Sequence, residues 1–153
     1  MFNREQHNKR KKIGFKAGRW EILHPGHISC LKRCAELCDE LYVLVHDKDN
    51  EFLTADERVD LLVELPFVDD AFTYTDDVED NALKELIGNI YENTPDSEPM
   101  PYFIMFHSEE LISKLISKKD KNQKIPGQKL VDSVVFIPRE PGISTSAILK
   151  RKK

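Results

Sequence analysis

Two histidines three residues apart, His24 and His27, enclose a Pro25-Gly26 turn just before an amphipathic segment. The N-terminus of a helix presents backbone N–H groups and a partial positive charge, so it favours anions. Gly26 lets the backbone approach a phosphate closely, and Pro25 suits an early helical position. Imidazoles at such a place donate hydrogen bonds to phosphoryl oxygens, more strongly when protonated. The pattern therefore indicates a phosphate-handling loop, with two ordinary surface histidines as the alternative.

Strand and helix patterns alternate along the chain and place this loop after the first strand. We expect an α/β, Rossmann-like, doubly wound parallel five-stranded sheet with helices on both faces. In such sheets ligands bind beyond the carboxyl ends of the strands, where the strand order reverses. A Thr54-x-x-Glu57 capping box marks one helix start. The predicted strands are 12–18, 40–46, 67–75, 102–106 and 133–138, and the predicted helices are 27–38, 54–65, 77–93, 108–119 and 144 to about 151.

Length, charge and hydropathy exclude several classes of protein. The 153 residues suit a single domain, which we expect over 11–153, after a basic N-terminal tail at 1–10. A net charge of −4 argues against nucleic acid as a partner, although both ends are basic. No apolar run approaches the ~20 residues of a transmembrane helix, so no membrane partner is expected. The first residues lack the hydrophobic core of a secretion signal, so we expect a cytoplasmic protein.

Three cysteines, Cys30, Cys34 and Cys38, lie at intervals of four and share one face of the predicted helix. An odd number of cysteines without a secretion signal suits a reducing compartment. Cysteine packs like a small hydrophobe, so we expect these residues to extend the buried apolar stripe. A metal site is the alternative, and we predict none.

Three segments resemble one known family. GRWEILHPGH (18–27) resembles the signature of the nucleotidylyltransferase superfamily, Gly-x-Phe-Asp followed by His-x-Gly-His. DERVDLLVELPFVDDAF (56–72) resembles the second helix of that family and the valine-aspartate pair of the next strand, and PREPGISTSAIL (138–149) resembles its closing Gly-Ile-Ser-Thr-Thr motif. The three occur in the family's order and cover most of residues 11–151. Within that superfamily, the segments resemble those of glycerol-3-phosphate cytidylyltransferase-like proteins.

The resemblance implies direct nucleotidyl transfer. A small phosphorylated acceptor would attack the α-phosphorus of a nucleoside triphosphate, CTP being favoured, and pyrophosphate would leave. Glycerol-3-phosphate and other polyol, sugar or alkyl phosphates are the expected acceptors. The family also implies Mg²⁺ held by the substrate phosphates, with no metal ligands from the protein, and a homodimer.

Roles for individual residues follow from the same resemblance. His24, His27 and Arg139 would stabilise charge on the transferred phosphoryl group. Lys16, by its position near the end of the first strand and not by the resemblance, is assigned to the acceptor phosphate, and His107 is assigned to the acceptor side or to a contact with the base. The alternative for Lys16 is an ordinary solvated lysine. The alternative for His107 is a residue that flanks the start of a helix capped by Ser108. The residues expected to bind nucleotide and phosphates are Gly18, Arg19, Trp20, Glu21, Gly26, Arg58, Ser144 and Thr145.

The chain departs from the family pattern in four places. Glu21 stands for the usual aspartate, Pro66-Phe67 replaces an arginine before the valine-aspartate pair, and Lys48 is the single lysine of a shortened loop. Phe106-His107-Ser108 stands where relatives carry Gly-Asp-Asp near the base. Adenylyl transfer from ATP to a nicotinamide-mononucleotide-type or other acceptor is therefore the first alternative, although the Ile-Ser-Gly-Thr ending of those enzymes is absent. An inactive nucleotide-binding module is the second.

Overall fold

Five parallel strands form one sheet in the order β3-β2-β1-β4-β5. The computed structural model describes residues 10–48, 52–75, 81–117 and 125–138. The strands are β1 (Lys12–Gly18), β2 (Glu40–His46), β3 (Asp70–Tyr74), β4 (Tyr102–Ser108) and β5 (Ser133–Ile137). The helices are α1 (Pro25–Glu36), α2 (Ala55–Val63), α3 (Ala82–Asn93) and α4 (Glu110–Ser117), with a short 3-10 helix at Gln128–Leu130.

The strand order reverses between β1 and β4. The chain proceeds from β1 to β2 and β3 on one side, and then crosses to β4 and β5 on the other. Lys16 of β1 lies opposite Phe106 of β4 in the register of these two strands. The predicted Rossmann-like, doubly wound sheet is confirmed, and the crevice expected to take a ligand lies at the carboxyl ends of β1 and β4.

Each face of the sheet carries its own buried cluster. Leu31 and Cys34 of α1 and Leu62 of α2 pack on one face, against β-strand side chains that include Val43 and Phe106. Leu83 and Ile87 of α3 cover the other face. Alternate strand residues thus supply the two faces, as a sheet covered on both sides requires. Cys30 and Cys38 are half-buried beside the first cluster, which confirms the predicted packing of the cysteine stripe.

Aspartates hold the beginnings of three strand pairs. Asp39, Asp69 and Asp132 each accept a backbone N–H of the neighbouring strand, at 2.7 Å from Lys12, 2.7 Å from Leu41 and 2.8 Å from Phe103. In return, the backbone N–H of each aspartate donates to the carbonyl of the strand residue whose N–H it accepts. The valine-aspartate pair of the family motif therefore acts at Asp69 as a device that sets strand register.

Several element boundaries differ from the predictions. β4 continues through His107 and Ser108, so Ser108 is a strand residue and the predicted cap at this position is wrong. The continuous buried run explains the extension, because His107 is itself buried. The capping box is confirmed, with Glu57 N–H donating to Thr54 Oγ1 at 3.1 Å and Thr54 N–H to Glu57 Oε1 at 3.0 Å. The predicted closing helix lies outside the described residues.

The first described residue contacts the sheet. Arg10 donates from Nε to the Met100 carbonyl at 2.9 Å and from Nη2 to that of Pro101 at 3.1 Å. Its guanidinium also lies 5.4 Å from the Tyr102 ring centroid. The division at residue 10 stays a prediction, with Arg10 in contact with the domain. Within the described residues, no helix is long and apolar enough to cross a membrane.

Candidate active site

His24 is the N-cap of α1 and uses its side chain as the cap. Its Nδ1 accepts the backbone N–H groups of Gly26 at 3.1 Å and His27 at 3.3 Å. An imidazole nitrogen that accepts two N–H groups carries no proton, so the ring proton is assigned to Nε2. The first N–H donors of the helix are thereby occupied by His24. These N–H groups donate within the chain in this structure, and the expected phosphate contact at this turn stays a prediction.

His27 stacks on His24 within the first turn of α1. The ring centroids are 3.8 Å apart and the planes differ by 18°. Burial, reinforced by the neighbouring His24, lowers the pKa of His27 to about 4, while the backbone of Ile22 opposes the shift. At neutral pH the ring is uncharged, so its expected phosphate contact would use a neutral imidazole. Its Nδ1 is buried and, among the described residues, has no hydrogen-bond partner.

Trp20 joins the loop after β1 to the histidines. Its indole Nε1 donates to the Leu44 carbonyl at 3.1 Å, and its ring meets His27 edge to face at 5.2 Å. The backbone of Trp20 has φ 54°, a left-handed conformation that is uncommon for a bulky residue. Gly18 makes room for the ring, because a Cβ at Gly18 would lie 3.2 Å from the indole. The strained backbone of Trp20 thus holds its indole ring against His27.

Arg58 of α2 is buried, and its guanidinium is engaged with backbone carbonyls. It donates to the carbonyls of Arg19 and Lys48, and from Nε to that of Thr54 at 3.3 Å. These contacts tie the loop after β1, the loop after β2 and the start of α2 together. In this conformation the guanidinium donates to backbone carbonyls. The predicted contact of Arg58 with a phosphate stays a prediction. Arg19 itself is exposed and faces Glu21 at 3.6 Å.

Lys16 and His107 occupy the carboxyl ends of the two strands at the crevice. The Lys16 ammonium donates to the Ala17 carbonyl at 3.2 Å and lies 5.7 Å from the Trp20 ring centroid. A ring nitrogen of His107, Nε2, is 2.8 Å from the carbonyl oxygen of Pro126. Burial, more than the positive charge of Lys16, lowers the pKa of His107, and the contact with Pro126 opposes the shift.

The described part of the site brings together the predicted residues of the first motif, with Lys16 and Arg58 beside them. Arg139, Ser144 and Thr145 lie outside the described residues, so their roles stay predictions. His46 ends β2, accepts the Lys48 N–H at Nδ1 at 3.2 Å and packs edge to face on Tyr74 at 5.4 Å.

Sequence reasoning treated the cysteines as packing residues alone. Hydrogen bonding with Cys34, with help from Lys16 and Arg33, lowers the pKa of Cys30 to about 6. The same pairing raises the pKa of Cys34. Across the described ranges, no three histidine, cysteine or carboxylate side chains cluster as a metal site. The expected magnesium ion, held by substrate phosphates, stays a prediction.

The fold recurs among solved protein structures. A lipopolysaccharide core biosynthesis protein from Thermoplasma volcanium aligns with a TM-score of 0.52 at 22% identity, over 85% of this chain and 98% of that one. A putative nicotinate-nucleotide adenylyltransferase from Vibrio parahaemolyticus aligns with a TM-score of 0.58 at 16% identity, over 94% and 83%. At these identities the likeness establishes the fold.

Sequence comparison establishes the family. The cytidylyltransferase-like family model matches residues 15–151, so the chain belongs to that family. The chain is thus a nucleotidyltransferase of the nucleotidylyltransferase superfamily, as its first motif predicted. An FAD synthase from Methanoculleus marisnigri is 31% identical over 142 residues, which are 88% of this chain and 84% of the relative. These findings favour the adenylyl alternative over the cytidylyl transfer that we had favoured.

Proposed function

We propose that this protein transfers the adenylyl group of ATP to a small phosphorylated acceptor and releases pyrophosphate. The stacked His24–His27 pair at the start of α1, beside the point where the strand order reverses, is the observation that carries nucleotidyl transfer. The choice of ATP is supported by similarity to an FAD synthase over most of both chains. FAD contains an adenylyl group joined to the phosphate of FMN, so FMN is the first acceptor to test.

The chemistry is an in-line displacement at the α-phosphorus. An oxygen of the acceptor phosphate forms the new bond, and the bond to the bridging oxygen of the β-phosphate breaks. His24 donates from Nε2 and neutral His27 lies against it, so the pair can meet phosphoryl oxygens without losing the α1 cap. Arg139, Ser144 and Thr145 are proposed, by family resemblance alone, to hold phosphates. Magnesium carried by the phosphates would supply further charge neutralisation.

Parallel assays of pyrophosphate release test this proposal. ATP and CTP are each offered with FMN, glycerol-3-phosphate or nicotinamide mononucleotide, in the presence of Mg²⁺, and products are identified by mass spectrometry. We expect pyrophosphate release with ATP and not with CTP, and only when one particular acceptor is present. His27→Ala should lower turnover by ~10²-fold, the scale for losing one transition-state donor. Release with CTP and a polyol phosphate instead would return the assignment to cytidylyl transfer.

Two further outcomes of this assay concern the remaining alternatives. No release with either triphosphate, at enzyme concentrations near those of substrate, would favour an inactive nucleotide-binding module. The homodimer implied by the family stays a prediction, which light scattering of the purified protein would test.

A further inference from the structure

The cations predicted at the phosphate site are mostly committed elsewhere or neutral. The guanidinium of Arg58 is buried against three backbone carbonyls, and that of Arg19 is 74% exposed and faces Glu21. His27 is neutral at pH 7, because its pKa is lowered to about 4. His24 must leave Nδ1 unprotonated to cap α1. Among the described residues, positive charge beside a bound phosphoryl group would therefore come from another side chain, in addition to the predicted Arg139.

Lys16 is the cation that the described structure leaves at this place. It projects from the face of β1 that carries Gly14 and Gly18, and its ammonium lies over the Trp20 ring at 5.7 Å. The edge of His27 meets the same ring at 5.2 Å. Lys16 is half-buried, and among the described residues no carboxylate pairs with it. The ammonium donates to the Ala17 carbonyl, which carries no net charge, so the arrangement leaves it able to attract an anionic ligand.

The positive charge of Lys16 contributes to lowering the pKa of side chains on both sides of the crevice. It acts on the ring of His27 and the thiol of Cys30 in α1, and on the ring of His107 in β4. In the register of β1 and β4, Lys16 lies opposite Phe106, the residue before His107, at the point where the strand order reverses. The signature that the first motif resembles begins at Gly18, so the resemblance itself assigns no role to Lys16.

We propose that the Lys16 ammonium contacts the nonbridging oxygens of the transferred phosphoryl group and stabilises their negative charge. This proposal rests on the proposed function. While the acceptor oxygen bonds to the α-phosphorus and the bond to the β-phosphate breaks, Lys16 stays protonated and transfers no proton. The placement beside Trp20 and His27 favours this role over the acceptor-phosphate contact that the sequence suggested.

Binding measurements separate a phosphate contact from base recognition. Calorimetry gives the dissociation constants of AMP, adenosine, CMP and cytidine for the wild-type protein, Lys16→Met and Lys16→Arg. Methionine keeps the apolar stem on Trp20 and removes the charge. Lys12→Met is the matched control, because Lys12 is exposed at the opposite end of β1, ~13 Å away at about 3.3 Å per residue.

In the expected result, Lys16→Met weakens monophosphate binding at least ~10-fold, the scale of a charge-assisted contact, and leaves nucleoside binding unchanged. Lys16→Arg and Lys12→Met should retain the preference for the monophosphate. The Lys16 proposal is overturned if Lys16→Met still prefers the monophosphate to the nucleoside, or if its nucleoside binding weakens equally. It is also overturned if the wild-type protein does not prefer the monophosphate. A phosphate preference seen with CMP and not AMP would contradict adenylyl transfer while supporting the Lys16 contact.

Two further readouts test the role itself. Nuclear magnetic resonance titration of the protein without nucleotide should show the pKa of His27 higher in Lys16→Met than in Lys12→Met. Turnover of Lys16→Met should fall ~10²-fold, as expected for charge stabilisation in the transition state. An unchanged pKa of His27, or loss of FMN affinity with AMP affinity intact, would overturn the assignment to the transferred group.

Discussion

His24 and His27 are joined twice, once through their rings and once through the backbone. The rings stack with centroids 3.8 Å apart, and His24 Nδ1 accepts the His27 N–H at 3.3 Å. His24 therefore caps α1 through Nδ1, and its proposed contact with a phosphoryl oxygen would use Nε2. The two roles can be separated, because a cap needs only an acceptor at this position.

Substitution of His24 should separate the cap from catalysis. Asparagine is a good N-cap, so His24→Asn should keep the free energy of unfolding within ~0.5 kcal/mol, whereas His24→Ala should lose ~1 kcal/mol. Both should lower turnover by ~10²-fold, since each lacks the imidazole donor. Urea unfolding and pyrophosphate release measure the two effects. Full turnover in His24→Asn would remove the imidazole from the mechanism.

Acid should destabilise the protein through His27. Its pKa in the folded protein is about 4 and its ordinary value is 6.5, so between these values the unfolded chain binds the proton more readily. Stability is therefore fully present above about pH 6.5 and declines as the pH falls towards 4. The lowered pKa of His107 acts in the same direction. Urea unfolding of the wild-type protein and His27→Asn at pH 7 and pH 5 should show the smaller decline in the variant.

Arg58 should contribute mainly to stability. Lysine offers one ammonium in place of a fork, so Arg58→Lys should lower the free energy of unfolding by ~2 kcal/mol as buried carbonyls lose their donors. Arg33→Lys is the control, because Arg33 makes an exposed contact with the Pro138 carbonyl and should change stability by less than ~0.5 kcal/mol. Unchanged stability of Arg58→Lys, with weakened ATP binding, would favour the phosphate role instead.

Asp69 should matter more than its neighbour Asp70. Asp69→Ala leaves the Leu41 N–H without its acceptor, which should cost ~1–3 kcal/mol of the free energy of unfolding. Asp70 accepts only the N–H of the next residue, at an exposed position, so Asp70→Ala should cost less than ~0.5 kcal/mol. Equal losses in urea unfolding would contradict the assigned strand-register role.

Trp20 should report nucleotide binding directly. It is the only tryptophan of the chain, and it lies between Lys16 and His27. Saturation with ATP should change its fluorescence emission, while adenosine, which lacks the phosphates, should change it less. The signal is read as a titration at pH 7.5. An emission unaffected by ATP, under conditions where calorimetry shows binding, would place the phosphates away from this ring.

The fold and the position of the site could be predicted from the sequence alone. Apolar runs at 40–46 and 102–106, between amphipathic segments, specify buried parallel strands, because only a sheet covered on both faces hides every side chain of a strand. The turn of His24 to His27 follows β1 directly, so its place at the carboxyl edge is local information. The capping box of Thr54 and Glu57 is local as well, and it formed as predicted.

Other features were decided by tertiary structure, because they depend on partners distant in sequence. β4 continues past its predicted end through the buried His107. The ring of His107 contacts the carbonyl of Pro126, whereas the sequence predicted a position beside the start of a helix. Arg58 was predicted to bind phosphate, yet carbonyls ten and thirty-nine residues away take up its guanidinium. The charge of His27 also depends on burial in the folded protein. Residue types and spacing determined which groups gather at the site, while packing decided which of them are charged there.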